Sequence, residues 1–137
     1  MTPFLDSMPD SNILLDVLTV DRQWFSWSAA ALDAAANRGR VVINPVIYAE
    51  LSAGFERIED LDAEVPLEYI EREQLPWEAA FLAGHAFRDY RRRGGGARAP
   101  LADFFIGAHA LVAGYTLITR DAARYRTYFP RLKLIAP

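Results

Sequence analysis

Residues 101–121 read LADFFIGAHALVAGYTLITRD, and they contain the pattern that decides the fold: an apolar helix and an apolar strand with a carboxylate near each end. Asp103 stands just before an apolar run, and Asp121 follows the strand-like YTLIT after one arginine. Helical spacing in residues 99–114 and β-branched composition in residues 115–119 predict a buried helix followed by a buried strand. Both acids therefore border segments that are expected to form the core.

The rest of the chain alternates between helix and strand patterns in the same way. Short apolar runs predict further strands at 40–44, 67–75 and 132–136. Helical spacing and start signals predict the other helices at 11–18, 24–39, 45–55, 76–93 and 121–129. This alternation predicts an α/β fold, a three-layer α/β/α sandwich with a short, mostly parallel central sheet.

The N-terminal strand is expected to be short or irregular. Pro9 stands immediately before Asp10, and the apolar residues of the strand are predicted to be Phe4 and Leu5. Asp6, like Asp10, is followed by a serine, but no predicted helix follows it. Asp6 is therefore not predicted to be a site residue. Asp16 lies nearly two helical turns past Asp10 and is predicted to be a surface acid.

Length and composition narrow the possible classes. The 137 residues are 52% hydrophobic, which predicts a single domain over residues 1–137. The absence of cysteine excludes disulfides and thiolate metal sites, so a metal would be held by oxygen atoms or by the two histidines. A ligand role for those histidines, His85 and His109, is not expected. Neither a long apolar run nor a signal-peptide pattern occurs, so a cytoplasmic protein without a membrane partner is expected.

Four acids lie at predicted strand ends or on the helices that follow them: Asp10, Glu50, Asp103 and Asp121. In parallel α/β sheets, ligands bind beyond the carboxyl ends of the strands. Each acid alone has an ordinary explanation, as a helix cap or the partner of an arginine. At one sheet edge, however, four carboxylates would repel one another unless a cation neutralised them.

An all-oxygen cluster of this kind suits Mg²⁺, with Mn²⁺ as the alternative. Such an ion can lower the pKa of water and stabilise the charge that grows on a phosphodiester during displacement. The pattern therefore predicts metal-dependent phosphate hydrolysis.

Four segments carry a resemblance to a known family. DSNILLDVL at 10–18, INPVIYAEL at 43–51, PLADFFIGAHALVAGYTLITRD at 100–121 and YFPRLKLIAP at 128–137 resemble the PIN-domain family, and more closely its VapC-type toxins from bacterial toxin–antitoxin pairs. The resemblance covers nearly the whole chain. It implies a Mg²⁺-dependent endoribonuclease that hydrolyses RNA at the four-carboxylate site and is held inactive by a cognate antitoxin. It also implies a homodimer.

The resemblance further implies roles for individual residues. Asp10 and Asp103 would be the main metal ligands, while Glu50 and Asp121 would hold the water network or a second ion. Three more residues match polar positions that line such sites: Ser11, Asn12 and Thr119.

Two alternatives belong to other functional classes. A receiver-like or haloacid-dehalogenase-like phosphoacceptor also uses an Asp at a strand end. The haloacid-dehalogenase type requires a second Asp two residues after the first, and here that position holds Asn12. A catalytically inert PIN-like module that binds RNA or protein is the stronger alternative, although loss of catalysis would most simply show as a missing acid. None of the four acids is missing.

Charge is unevenly distributed along the chain. Residues 56–73 hold eight acids against two arginines, whereas residues 88–98 hold five arginines against one acid. Solvated helix faces would explain both blocks. The alternative for the basic block is a positive lip that holds RNA phosphates beside the acidic site, formed by Arg91, Arg92, Arg93 and Arg98. Three tryptophans on helical patterns are expected in the core or at a subunit interface: Trp24, Trp27 and Trp77.

Overall fold

The computed structural model describes residues 5–66, 68–96 and 101–137. Its strands are β1 (Ser7–Pro9), β2 (Val42–Ile43), β3 (Glu71–Arg72), β4 (Thr116–Ile118) and β5 (Leu134–Ile135). Strand β1 pairs with β4, β4 with β5 and β2 with β3, and all three pairings are parallel. A parallel bridge between Ser7 and Val41 connects the two groups of strands in the order β3-β2-β1-β4-β5. The predicted parallel α/β fold is confirmed.

Seven helices surround these strands in the described residues. They are α1 (Ser11–Leu18), α2 (Phe25–Arg38), α3 (Pro45–Ser52), α4 (Ile58–Glu64), α5 (Trp77–Arg92), α6 (Leu101–Ala113) and α7 (Ala122–Tyr128). Helix α4 comes from the acidic block and was not predicted. None of the helices among the described residues is both long and apolar enough to cross a membrane.

Two apolar clusters lie on opposite faces of the sheet. Leu117 belongs to the larger cluster and the next residue, Ile118, to the smaller one, because successive strand residues point to opposite faces. Helix α2 contributes Ala35 to the smaller cluster, while α5 and α6 contribute Ala83 and Phe104 to the larger one. The helices therefore form two outer layers around the sheet.

The order of the strands changes direction beside β1. The chain runs from β1 outward to β2 and β3 on one side, and later to β4 and β5 on the other. The strand order thus reverses between β1 and β4, and ligands of such sheets bind beyond the carboxyl ends of the strands at this point. Asp10 follows β1 directly and Thr119 follows β4 directly.

Close packing of α7 against α6 depends on Gly107. A Cβ atom at this position would lie 2.8 Å from the ring of Phe129 and 3.0 Å from that of Tyr125. Both contacts are far tighter than ordinary van der Waals distance, so any larger residue would push α7 away. Gly107 therefore lets Tyr125 of α7 and its C-cap residue Phe129 pack against the middle of α6.

Two predictions are wrong, those for the residues of β1 and for the exposure of Asp16. Strand β1 is formed by Ser7–Pro9, while Leu5 lies outside it and Phe4 lies outside the described residues. Pro9 is the last residue of the strand and has no backbone N–H to donate to a neighbouring strand. Of the two places predicted for Trp77, the core is excluded, because its side chain is 89% exposed at the start of α5. Asp16 is only 3% exposed, because Arg120 and Ser28 bind its carboxylate beneath the surface.

Candidate functional site

Asp10 is held at the junction of β1 and α1. The register pairs Pro9 with Ile118, and the Asp10 amide donates to the Ile118 carbonyl at 2.8 Å. The residues that follow the two strands, Asp10 and Thr119, are therefore neighbours. Asp10 is also the N-cap of α1, and its Oδ1 accepts a hydrogen bond from the Ser11 amide at 2.8 Å. The capping role and the site role thus coincide in one residue.

Two hydroxyl groups fix the other oxygen of Asp10. Thr119 Oγ1 and the Tyr125 hydroxyl each donate to Asp10 Oδ2 at 2.9 Å. Thr119 Oγ1 also accepts from the Asp121 amide at 3.0 Å, so its single hydrogen is directed to Asp10. Asn12 Nδ2 lies 3.4 Å from the same Asp10 oxygen. Asp10 is therefore held in one orientation by groups from three parts of the chain.

Two more carboxylates meet Asp10. Helix α3 carries Glu50, whose Oε1 accepts from the Ser11 hydroxyl at 2.8 Å. Asp103 lies in the first turn of α6. One carboxylate oxygen from each of Asp10, Glu50 and Asp103 lies within 4.8 Å of the other two. We call these three residues the carboxylate triad.

Electrostatics of the triad favour a bound cation. Burial is the main cause that raises the pKa of Asp10 from 3.8 to about 6, and the charge of Asp103 adds to it. Burial likewise raises the pKa of Glu50 and of Asp103. Hydrogen bonds to Thr119, Tyr125 and Ser11 act the other way on Asp10 and favour its ionised form. The triad is thus oriented for a positive charge that would restore full ionisation.

The fourth predicted acid lies apart from the triad. The Asp121 side chain is 56% exposed, and no oxygen of it belongs to the group that meets within 4.8 Å. Asp121 lies beside Arg124, whose Nη1 is 3.7 Å from Asp121 Oδ2 and 2.5 Å from Asp103 Oδ2. Asp121 precedes α7 as its N-cap residue but makes no side-chain capping bond.

Sequence reasoning missed Tyr125 and Arg124. Both lie on α7, and Tyr125 is 1% exposed. Burial and the charge of Asp10 raise the pKa of Tyr125, so its hydroxyl remains a donor. A usable signal existed, because Tyr125 stands one helical turn after Asp121 in a helix that begins at the site edge.

The predicted basic lip lies at the end of α5. Arg91 and Arg92 occupy its last turn, Arg93 is the C-cap residue, and all three are exposed. The Arg93 guanidinium lies 5.4 Å from the ring centre of Tyr128 on α7, the helix that carries Arg124 and Tyr125. Arg98 lies outside the described residues.

Asp6 lies at the opposite edge of the sheet. It precedes β1, and its carboxylate accepts from the Arg40 amide at 2.9 Å and from Arg40 Nε at 3.1 Å. Arg40 also pairs with Glu71 at 2.8 Å. Asp6 therefore belongs to an ion-pair network at the amino ends of the strands.

The described contacts of the two histidines are with residues outside the carboxylate triad. His109 is fully buried, with Nδ1 3.1 Å from Asn44 Nδ2 and Nε2 3.1 Å from Glu73 Oε1. His85 contacts Phe81 and Arg88 on the surface of α5.

The raised pKa of Asp10 predicts how stability depends on pH in metal-free protein. Between pH 3.8 and about 6 the folded state holds a proton on Asp10 that the unfolded chain has lost, so the free energy of unfolding falls as pH rises. Asp10→Asn removes this loss, which amounts to roughly 3 kcal/mol for a shift of about two pKa units. Urea unfolding in EDTA should show the stability advantage of the variant growing from pH 4 to pH 7. An advantage that does not vary with pH would contradict the assigned pKa.

Comparisons with known proteins show the family of the chain and the solved structures that share its fold. A family model described as the PIN domain matches residues 7–130. The structure of VapBC2 from Rickettsia felis, bound to a DNA fragment from its promoter, is similar with a TM-score of 0.74 and 19% identity, covering 97% of this chain and 99% of that chain. The structure of VapBC-1 from nontypeable Haemophilus influenzae is similar with a TM-score of 0.73 and 18% identity, covering 96% of this chain and 98% of that chain.

A third solved structure, FitAcB from Neisseria gonorrhoeae, gives a TM-score of 0.67 and 16% identity, covering 93% of this chain and 95% of that chain. At these identities the likeness concerns the fold. No curated protein sequence matches the chain.

Proposed function

The chain belongs to the PIN domain family, and from that membership we propose that it is a Mg²⁺-dependent endoribonuclease, the toxin of a toxin–antitoxin pair. The observation that carries the proposal is the carboxylate triad, which gathers three acids from α3, α6 and the end of β1 at the strand-order reversal. Residues 1–137 would act as one nuclease domain.

The donor set of the triad fits a hard divalent cation. All three groups are carboxylates whose oxygens lie close enough to share one ion, and no thiolate is available in the chain. Asp10 and Asp103 would be the main ligands of Mg²⁺ or Mn²⁺, with Glu50 beside them. When bound, such an ion supplies activation of water and neutralisation of charge on a phosphodiester.

The chain's own residues would prepare that chemistry. Thr119, Tyr125 and the Ser11 amide hold the Asp10 carboxylate in a fixed orientation, which removes the cost of ordering it during binding. Ser11 does the same for Glu50. Asn12 lies within 3.5 Å of both Asp10 and Thr119 and would support them. We assign these polar residues to positioning.

The proposed partners follow from the fold neighbours and from the basic lip. The similar structures from R. felis and H. influenzae are VapBC complexes, which supports a cognate antitoxin as the protein partner of this chain. RNA would be the substrate, a homodimer the assembly, and the cytoplasm the place of action. The alternative, a catalytically inert PIN-like binding module, would keep the fold and the partners but would not cleave.

One experiment separates these two functions. Purified chain is incubated with total RNA in Mg²⁺, in Mn²⁺ and in EDTA, and the new RNA ends are sequenced. Cleavage at defined sites in either metal, absent in EDTA, supports the nuclease. RNA that remains intact under all conditions, while calorimetry shows that the chain binds it, would establish the inert module instead.

The basic lip gives a separate prediction for RNA binding. Replacing Arg91, Arg92 and Arg93 together by Gln should weaken RNA binding at low salt by roughly tenfold or more, because fewer counterions are released from the RNA when phosphate contacts are lost. The three side chains are exposed, so the thermal midpoint should change little. Fluorescence anisotropy over a salt series measures this effect. An affinity equal to that of the native chain at low salt would assign these arginines to an ordinary solvated helix face.

A further inference from the structure

One carboxylate of the triad, that of Asp103, forms a salt bridge with Arg124 of the same chain. Arg124 Nη1 lies 2.5 Å from Asp103 Oδ2, and the same nitrogen lies 3.7 Å from Asp121 Oδ2. The Arg124 side chain is 34% exposed, so it lies at the surface of the site rather than enclosed within it. It is thus placed between one triad carboxylate and one exposed carboxylate.

On the basis of the proposed function, we propose that Arg124 is a resident counter-cation that competes with the divalent ion for Asp103 and moves to Asp121 when the ion binds. Asp121 then serves as the receiving partner of Arg124 rather than as a ligand of the ion. This role accounts for the position of Asp121 outside the carboxylate triad.

Electrostatics require the competition. A divalent ion held by Asp103 would use the oxygen that Arg124 contacts or lie close to its guanidinium, and two positive charges at such short distance repel each other. Each cation must then reduce the affinity of the site for the other by the same factor. Asp121 lowers the cost of the exchange, because its Oδ2 already lies 3.7 Å from Arg124 Nη1.

A purely structural role for the ion pair predicts something different. Asp103 and Arg124 are both partly exposed, and pairs of this kind contribute little to the free energy of unfolding. If the pair were only structural, replacing Arg124 would change the free energy of unfolding slightly and leave the affinity for the metal unchanged. Metal affinity therefore discriminates between the two roles.

The first test is calorimetric titration of the intact chain with Mn²⁺ at pH 8, in the absence of RNA. Arg124→Gln should bind Mn²⁺ about tenfold more tightly than the native chain, a coupling of ordinary size between two sites. Arg126→Gln is the matched control, because Arg126 is an exposed arginine of the same helix. It should change the affinity by less than about twofold, since its charge is screened by solvent.

The second test is a double-mutant cycle between Arg124 and Asp121. Asp121→Asn should weaken Mn²⁺ binding severalfold when Arg124 is present, because the arginine then has only Asp103 as its partner. In the Arg124→Gln background the same substitution should have little effect. An equal loss in both backgrounds would show that Asp121 acts on the ion directly, and this result would overturn the inference.

The native chain provides a readout that needs no substitution. The Nε–H signal of Arg124 in a nitrogen-15 correlation spectrum should shift as Mg²⁺ is added and should saturate with the calorimetric affinity. An unshifted signal at saturating Mg²⁺ would overturn the exchange.

The outcomes also distinguish this inference from the proposed function. If the native chain and Arg124→Gln bind Mn²⁺ equally well, the inference fails and the nuclease proposal stands. If neither protein binds Mn²⁺, both fail. If Arg124→Gln binds Mn²⁺ more tightly than both the native chain and Arg126→Gln, the result supports Arg124 as a resident counter-cation.

Discussion

Asp103→Asn is expected to abolish RNA cleavage while leaving the fold intact. The substitution keeps the size of the side chain and removes one of the three charges of the carboxylate triad. The rate should fall at least about a hundredfold, beyond the range for losing a mere hydrogen-bond partner of a metal ligand. Cleavage of a labelled RNA in Mg²⁺ measures the loss, and calorimetry with Mn²⁺ should show it as weaker binding.

Asp6→Asn is the matched control for this prediction. It makes the same chemical change at the opposite edge of the sheet, where Asp6 pairs with exposed Arg40. Cleavage by this variant should stay close to that of the native chain. Thermal midpoints of both variants should change little, since the new amide oxygen in Asp103→Asn can still accept from Arg124 and the side chain no longer carries a charge in a partly buried position. If Asp6→Asn did not cleave RNA while Asp103→Asn did, the active site would lie at the opposite edge of the sheet, and the assignment of Asp103 as a metal ligand would be wrong.

Asp16→Ala is expected to cause the largest loss of stability. The Asp16 carboxylate accepts from Arg120 Nε at 2.7 Å, from Arg120 Nη2 at 2.9 Å and from the Ser28 hydroxyl at 2.6 Å. Removing it leaves a buried hydroxyl and a partly buried guanidinium without their acceptor, which costs roughly 3 kcal/mol. For a chain of this size the thermal midpoint should fall by roughly 10 °C.

The comparison for this variant is Asp33→Ala. Asp33 is an exposed aspartate on α2, so its removal should alter the thermal midpoint only slightly. Asp16→Asn should fall between the two, because it retains the shape and one acceptor oxygen. Equal melting of Asp16→Ala and Asp33→Ala would mean that the buried ion pair does not stabilise the fold.

Local patterns were enough for the fold class and for most of the elements. Strand β4 and helix α6 are visible in residues 101–121 because a buried parallel strand and a buried helix must be apolar over their whole length. The acids at strand ends follow from the same pattern, since parallel strands present their carboxyl ends at one edge. The prediction was poor for β1, whose three residues Ser7, Met8 and Pro9 carry little strand signal and pair only through their neighbours.

The contacts of single side chains could not be obtained in this way. Asp16 was expected on the surface because its helical position alone indicates no partner, yet Arg120 binds it from 104 residues further along the chain. Tyr125 reaches Asp10 across 115 residues. Such pairings depend on the register of β1 against β4 and on the close approach of α7 to α6 at Gly107.

By itself, the sequence determined a parallel α/β fold with four acids at or near the carboxyl edge of its sheet, because periodicity and strand-end position are local properties that each segment carries alone. Only the tertiary structure decided that Asp10, Glu50 and Asp103 meet while Asp121 lies apart beside Arg124. Distances of a few ångströms between groups from different elements are set by how those elements pack. Long-range packing is a joint property of the whole chain, and no single segment encodes it.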